Sequence, residues 1–167
     1  MRPVPTETNL PLEVVVGNLL SARKQTLAIA ESCTGGLMTH RLTNVPGSSV
    51  YLIAAVIAYA YEAKVAALGV TWDTLNRYGA VSEETARAMA RGVREKFSTT
   101  LGLAVTGIAG PGGGTPDKPV GLTCIALADA TGETVERHVW KGDRIQNKEQ
   151  SAEAALKLLK EYLQKKI

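Results

Sequence analysis

Four places along this chain hold side chains that can do chemistry together. The first is Ala30-Glu31-Ser32-Cys33-Thr34-Gly35-Gly36, which sets a hydroxyl on a glycine-rich turn. The second is Tyr59-x-x-x-x-Lys64, a phenol and an amine where a strand gives way to a helix. The third is the loop Thr106-Gly107-Ile108-Ala109-Gly110-Pro111-Gly112-Gly113-Gly114, and the fourth is Gly142-Asp143-Arg144. A serine hydroxyl is a poor nucleophile until a base takes its proton. The usual histidine–carboxylate base is hard to assemble from only His40 and His138. Lys64 is the better candidate if its surroundings are dry and positively biased, because both lower an amine pKa toward neutrality. Tyr59 could relay the proton or hold the serine oxygen.

The remaining residues suit binding. Backbone N–H groups of the Ser32–Gly36 turn, Thr34 included, favour an anion or a developing oxyanion. Gly35 and Gly36 let a substrate come close to the backbone. Thr106 and the bare amides at Gly107, Gly110, Gly112 and Gly113 suit a phosphate or a polar ring substituent. Arg144 offers a fork for a phosphate or carboxylate. Asp143 can orient it, or accept from ribose hydroxyls. Cys33 adjoins Ser32, but one position along a tight turn its thiol is expected to point into packing rather than to attack.

Plainer readings stand beside these. Ser32 or Thr34 can simply cap a helix. Lys64 can be a solvated helix lysine, and Tyr59 a core residue with a satisfied hydroxyl. The glycine loop can be a long surface loop, and Arg144 a surface arginine.

The elements that must position these groups follow from periodicity. Leu10 to Lys24 reads as a helix, with Leu12, Val15, Val16, Leu19 and Leu20 on one face. Thr26 to Ala30 is a short buried strand, and Thr34 to Thr43 a helix that stops before Val45-Pro46-Gly47. Val50 to Ala60 is almost wholly apolar and predicts a central strand. Tyr61 to Leu68 and Trp72 to Arg77 are short helices. Ser82, followed by Glu83 and Glu84, opens a helix running to Lys96. Leu101 to Val105 is the next buried strand. Val120 to Leu127 and Thr134 to Trp140 form a hairpin across Asp129-Ala130-Thr131-Gly132. Gln146 or Asn147 opens the last helix. This order predicts an α/β fold, a three-layer α/β/α sandwich with a mixed, mostly buried sheet.

Composition narrows the classes. With 167 residues, 45% hydrophobic and 21% charged, the chain fits one domain, spanning 1–167, with a real core. No apolar run is long enough to span a bilayer. Met1 to Leu12 holds two prolines and a glutamate and shows no cleavable signal, so a cytoplasmic location is expected. A formal charge of +3, with a basic cluster only at Lys157, Lys160, Lys165 and Lys166, gives no nucleic-acid footprint. Two cysteines and two histidines make neither a disulfide framework nor a metal pattern. Neither a Rossmann fingerprint nor a P-loop is present.

Further motifs join the first ones: Val45-Pro46-Gly47-Ser48-Ser49, Ala58-Tyr59 with Glu62-Ala63-Lys64, Gly79-Ala80-Val81-Ser82, and Ala104-Val105-Thr106-Gly107 running to Gly113. Together they make the chain, from about Leu10 to the last helix, resemble the CinA C-terminal domain family, the nicotinamide-nucleotide amidohydrolases. The resemblance implies the domain standing alone. It implies hydrolysis of nicotinamide mononucleotide to nicotinic acid mononucleotide and ammonia, with no metal or cofactor. It places the serine nucleophile on Ser32, the catalytic tyrosine and lysine on Tyr59 and Lys64, and substrate contacts on Thr106 and Arg144. The implied fold is three-layer α/β/α, in a homo-oligomer acting on a small pyridine nucleotide. Two positions depart from the family pattern. Ala60-Tyr61 replaces a common Ser-Asn, so Tyr61 is expected to alter the pocket, and Lys148 replaces a second arginine that would serve phosphate recognition. A catalytically weak nucleotide-binding or regulatory module, or an amidohydrolase of another small carboxamide, are the alternative readings.

Overall fold

The computed structural model describes residues 10–165. The residues before Leu10 that entered the leader reading, and Lys166 of the basic cluster, lie outside the described residues. Helices are α1 (Leu12–Ala22), α2 (Leu37–Thr43), α3 (Tyr61–Leu68), α4 (Trp72–Tyr78), α5 (Glu83–Lys96) and α6 (Arg144–Lys165). Strands are β1 (Leu27–Glu31), β2 (Leu52–Ile57), β3 (Leu101–Gly107), β4 (Leu122–Ala128) and β5 (Glu133–Val139). The strands form one mixed sheet in the order β2-β1-β3-β4-β5. β1 pairs in parallel with both β2 and β3, while β3–β4 and β4–β5 are antiparallel.

The two faces of the sheet bury different side chains. Leu27, Ile29, Leu101, Leu103, Val105, Ile125 and Leu127 face one way and pack on α1, α2 and α6. Ala28, Ala30, Ala104, Cys124, Ala126 and Ala128 face the other way and pack on α3, α4 and α5. The three-layer α/β/α arrangement is therefore as expected from the element order. Large aliphatics supply most of the burial on the first face, roughly 1.5–3 kcal/mol for each fully buried side chain. The small residues on the second face let α5 lie against the backbone. A Cβ at Gly102 would stand 2.1 Å from the Ala90 carbonyl oxygen, and one at Gly92 would stand 1.8 Å from that of Leu68.

Three sequence expectations change. β2 is an edge strand, not a central one. Its residues alternate between half-buried and exposed, with Ile53 and Ile57 each about half open to solvent. A continuous apolar run reads as buried on both faces, but an edge position leaves one side uncovered. α2 begins at Leu37 rather than Thr34, and neither Ser32 nor Thr34 caps it, because Gly36 occupies the cap position at φ 101°. α6 begins at Arg144 rather than at Gln146 or Asn147. Asp143 Oδ1 accepts from the Gln146 N–H at 2.9 Å, and Gln146 Oε1 accepts from the Asp143 N–H at 2.9 Å. This reciprocal pair is a capping box, so Gln146 sits in the first turn instead of before it.

The topology sets the site. From β1 the chain passes to β2 on one side and later returns to β3 on the other. Open α/β sheets place their sites in the crevice beyond the strand ends at such a reversal. Ser32 follows β1, Tyr59 follows β2, and Thr106 lies near the end of β3, so the parallel strands deliver all three to the same end of the sheet.

Candidate active site

The central contact joins residues 32 apart in sequence. Lys64 Nζ donates to Ser32 Oγ at 3.1 Å, to the Ala58 carbonyl at 2.7 Å and to the Tyr59 carbonyl at 3.1 Å. Lys64 lies on the first turns of α3, which rises directly from the end of β2. Its side chain is fully buried and Ser32 is 8% exposed. Burial pushes the Lys64 amine below its ordinary pKa. The neutral amine has two N–H donors and one lone pair. If the two carbonyls take the donors, the lone pair faces the Ser32 hydroxyl. After proton transfer the ammonium has three donors for the same three oxygens. One geometry thus suits both charge states of the amine, so a proton exchange between the two groups would need little reorganisation.

The other predicted residues divide. Tyr59 lies beside the pair, but its carbonyl, not its hydroxyl, meets Lys64. The Tyr59 hydroxyl accepts from Arg144 at 3.1 Å, and the same guanidinium donates to the Gly110 carbonyl at 2.7 Å. The end of β2, the glycine loop and the start of α6 are therefore joined around one cation. Lys148, one turn further along α6, holds its ammonium 3.8 Å from where a side chain on Gly35 would begin. Among the described residues, neither Arg144 nor Lys148 has a carboxylate partner within salt-bridge distance.

Other hydroxyls and glycines are already engaged. Thr34 Oγ1 donates to Glu31 at 2.6 Å, and buried Thr106 donates to the Ala80 carbonyl at 2.7 Å. Gly107 belongs to β3, and a Cβ there would press on the Cys33 sulfur at 3.0 Å and on the Leu122 carbonyl oxygen at 2.8 Å. Its role is close packing behind the turn. Gly110 turns the loop under Val120, while Gly112 and Gly113 are exposed. Tyr61 does not enter the Ser32–Lys64 contact. Its hydroxyl accepts from the Ala80 N–H at 3.1 Å and its ring leans toward Trp72, so it pins the segment that also receives Thr106. Cys33 is buried, and burial pushes its thiol up to about 12, which keeps it protonated and unreactive near neutrality.

Sequence reasoning passed over Glu31. This last residue of β1 is fully buried and accepts five hydrogen bonds from the turn and from the start of α2. Its signal was its place immediately before Ser32, at the end of an otherwise apolar strand. The carbonyls of Ala58 and Tyr59 left no trace in side-chain types at all. Among the described residues, no group of three or more His, Cys, Asp or Glu is placed to hold a metal ion. No helix among them is long and apolar enough to cross a membrane.

The family model for the CinA C-terminal domain matches residues 9–163. A CinA-like protein of Syntrophus aciditrophicus is 55% identical over 155 residues, covering 91% of this chain and 36% of that protein. A CinA-like protein of Chloroherpeton thalassium is 49% identical over 160 residues, covering 93% of this chain and 38% of its own length. The chain thus spans less than two fifths of these curated relatives. Among solved structures, the CinA superfamily protein of Klebsiella pneumoniae superposes with a TM-score of 0.88 at 30% identity, over 91% of this chain and 95% of that one. The competence/damage-inducible protein CihA of Agrobacterium tumefaciens gives 0.82 at 34% identity, over 95% and 97%.

Proposed function

This chain belongs to the CinA C-terminal domain family, and we propose that within it the Ser32–Lys64 pair hydrolyses the carboxamide of nicotinamide mononucleotide. The observation that carries this reading is the buried 3.1 Å contact between Lys64 Nζ and Ser32 Oγ. A lysine held dry between two carbonyls and a serine is arranged as a general base for a nucleophile.

The reaction runs in two halves. Neutral Lys64 takes the Ser32 proton as Oγ attacks the carboxamide carbon. The negative oxygen of the tetrahedral intermediate faces backbone N–H groups of the Ser32–Gly36 turn. The Lys64 ammonium then protonates the nitrogen, the C–N bond breaks, and ammonia leaves. Water attacks the resulting ester and gives a proton to Lys64. Ser32 recovers its proton as the carboxylate product, nicotinic acid mononucleotide, departs. The contacts support direct transfer between Lys64 and Ser32 rather than a relay through the Tyr59 hydroxyl, which is engaged with Arg144. A pyridinium ring withdraws electrons from the carbonyl and disfavours a protonated lysine nearby.

Arg144 and Lys148, without carboxylate partners beside the turn, are suited to the nucleotide phosphate. Tyr61 stands outside the Ser32–Lys64 contact, its hydroxyl accepting from the Ala80 N–H. Ammonia release measured across nicotinamide mononucleotide, its riboside, free nicotinamide and NAD tests the reading. The mononucleotide should be turned over best. Equal turnover of riboside and mononucleotide would contradict the phosphate assignment. Tight binding without ammonia release would favour a regulatory module, and release only from another amide a different carboxamide hydrolase.

A further inference from the structure

We propose that Glu31 is a positioning residue that reserves two backbone amides, those of Cys33 and Thr34, for the oxyanion. The proposal rests on the amidase reading above.

A buried carboxylate without a cation is costly unless hydrogen bonds saturate it. Glu31 has no salt-bridge partner among the described residues and is fully buried. Its Oε2 accepts from Thr34 Oγ1 at 2.6 Å, the Gly36 N–H at 3.0 Å and the Met38 N–H at 3.2 Å. Its Oε1 accepts from the Thr39 N–H at 2.9 Å and Thr39 Oγ1 at 2.7 Å. Every donor comes from the segment that carries the nucleophile or from the helix that follows it. The charge also sits at the positive end of α2, which favours it further.

The Ser32 N–H goes to the Val105 carbonyl, that of Gly35 to Ser32, and that of Leu37 to Thr34. Glu31 takes those of Gly36, Met38 and Thr39. Among the described residues, the Cys33 and Thr34 N–H groups are the turn's amides left without an oxygen acceptor, and both lie near the Cys33 sulfur, a weak acceptor. They directly follow the nucleophile, where acyl-transfer sites place an oxyanion donor. The left-handed Gly35 and Gly36, at φ 61° and 101°, carry the chain from these amides back to the carboxylate. Glu31 therefore does two things. It fixes the turn before substrate arrives, and it fills the start of α2 with an internal anion. A substrate phosphate is excluded from that helix end and left to Arg144 and Lys148.

Glu31→Gln is the test, because it keeps the volume but turns an NH2 donor against backbone donors. In the purified full chain, kcat for nicotinamide mononucleotide should fall about 100-fold, the scale of a lost oxyanion donor, with KM within about threefold of wild type. Pyridine-3-boronic acid, which forms a tetrahedral adduct on a serine, should lose affinity in step with kcat/KM. Affinity for the planar product nicotinic acid mononucleotide should hold. A merely structural role would move neither ligand, or both alike. Should Glu31→Gln not fold, Thr39→Val removes one of the five bonds and should lower kcat and boronate affinity together by about tenfold. Wild-type kcat and boronate affinity in folded Glu31→Gln or Thr39→Val would overturn the Glu31 assignment alone. Absence of ammonia release from wild type with any carboxamide would overturn the amidase reading, and this assignment with it.

Discussion

The Lys64 amine meets the Ser32 hydroxyl at 3.1 Å because two neighbouring parallel strands end side by side. β1 delivers Ser32, and β2 leads through Tyr59 into the helix that carries Lys64. The Ala58 N–H donates to the Glu31 carbonyl at 2.9 Å, one further rung beyond the Glu31–Ile57 pair, so the two chain exits are locked in register. A one-residue slip of β2 would turn its alternating faces over and carry the lysine away from the serine.

Lys64→Arg keeps a cation but cannot give up its proton near neutral pH. We expect kcat to fall by about two or more powers of ten, the contribution of a positioned base. Lys64→Ala should fall at least as far with substrate binding largely retained. In wild type, kcat/KM should rise with pH on a limb below the ordinary lysine value, since burial lowers this amine. The limb should vanish in Lys64→Ala. Near-wild-type kcat in folded Lys64→Arg would sink the general-base role.

The same burial sets a stability signature. The folded amine has a lowered pKa, so below it the folded chain bears the full cost of a buried ammonium. Between that value and the unfolded value of about 10.4, the unfolded chain binds more protons, and wild-type stability rises with pH. Lys64→Met lacks this dependence. Its Tm relative to wild type should therefore be highest at low pH and decline as pH climbs through that window. A difference that stays flat from pH 6 to 10 would contradict a depressed Lys64.

Both cysteines are buried, and burial pushes Cys33 up to about 12 and Cys124 up to about 11. The thiolate is the reactive form. Counting thiols with a disulfide reagent at pH 8 should find neither in the native protein and both after denaturation. Rapid native labelling of Cys33 would reopen it as a nucleophile.

Arg144 bridges the Tyr59 hydroxyl and the Gly110 carbonyl and has no carboxylate partner within salt-bridge distance among the described residues. If it reads the phosphate, Arg144→Ala should raise KM for the mononucleotide by about tenfold or more, as for a charge-assisted bond worth 1.5–3 kcal/mol. The riboside should be affected far less. Equal losses on both substrates would assign Arg144 to holding Tyr59 and the glycine loop instead.

Local rules made most of the elements legible. The Ser82-Glu83-Glu84 start of α5, the turn between β4 and β5, and the layer order all follow from capping, turn chemistry and periodicity, which act within a few residues. Ser32, Tyr59 and Lys64 were legible as candidates because hydroxyl, phenol and amine stand at strand ends. Strand order was not legible. The apolar stretch of β2 reads the same at the centre of a sheet as at its edge, and only pairing with other strands decides how much of it solvent touches. The same holds at the site. No pattern in the sequence shows that Lys64 is dry, that Tyr59 turns its hydroxyl to Arg144, or that Thr34 and Thr106 spend theirs on Glu31 and Ala80. Side-chain type by itself determined which groups could react. Tertiary packing decided which of them are desolvated and which are already hydrogen-bonded, because both depend on contacts between segments far apart in the chain.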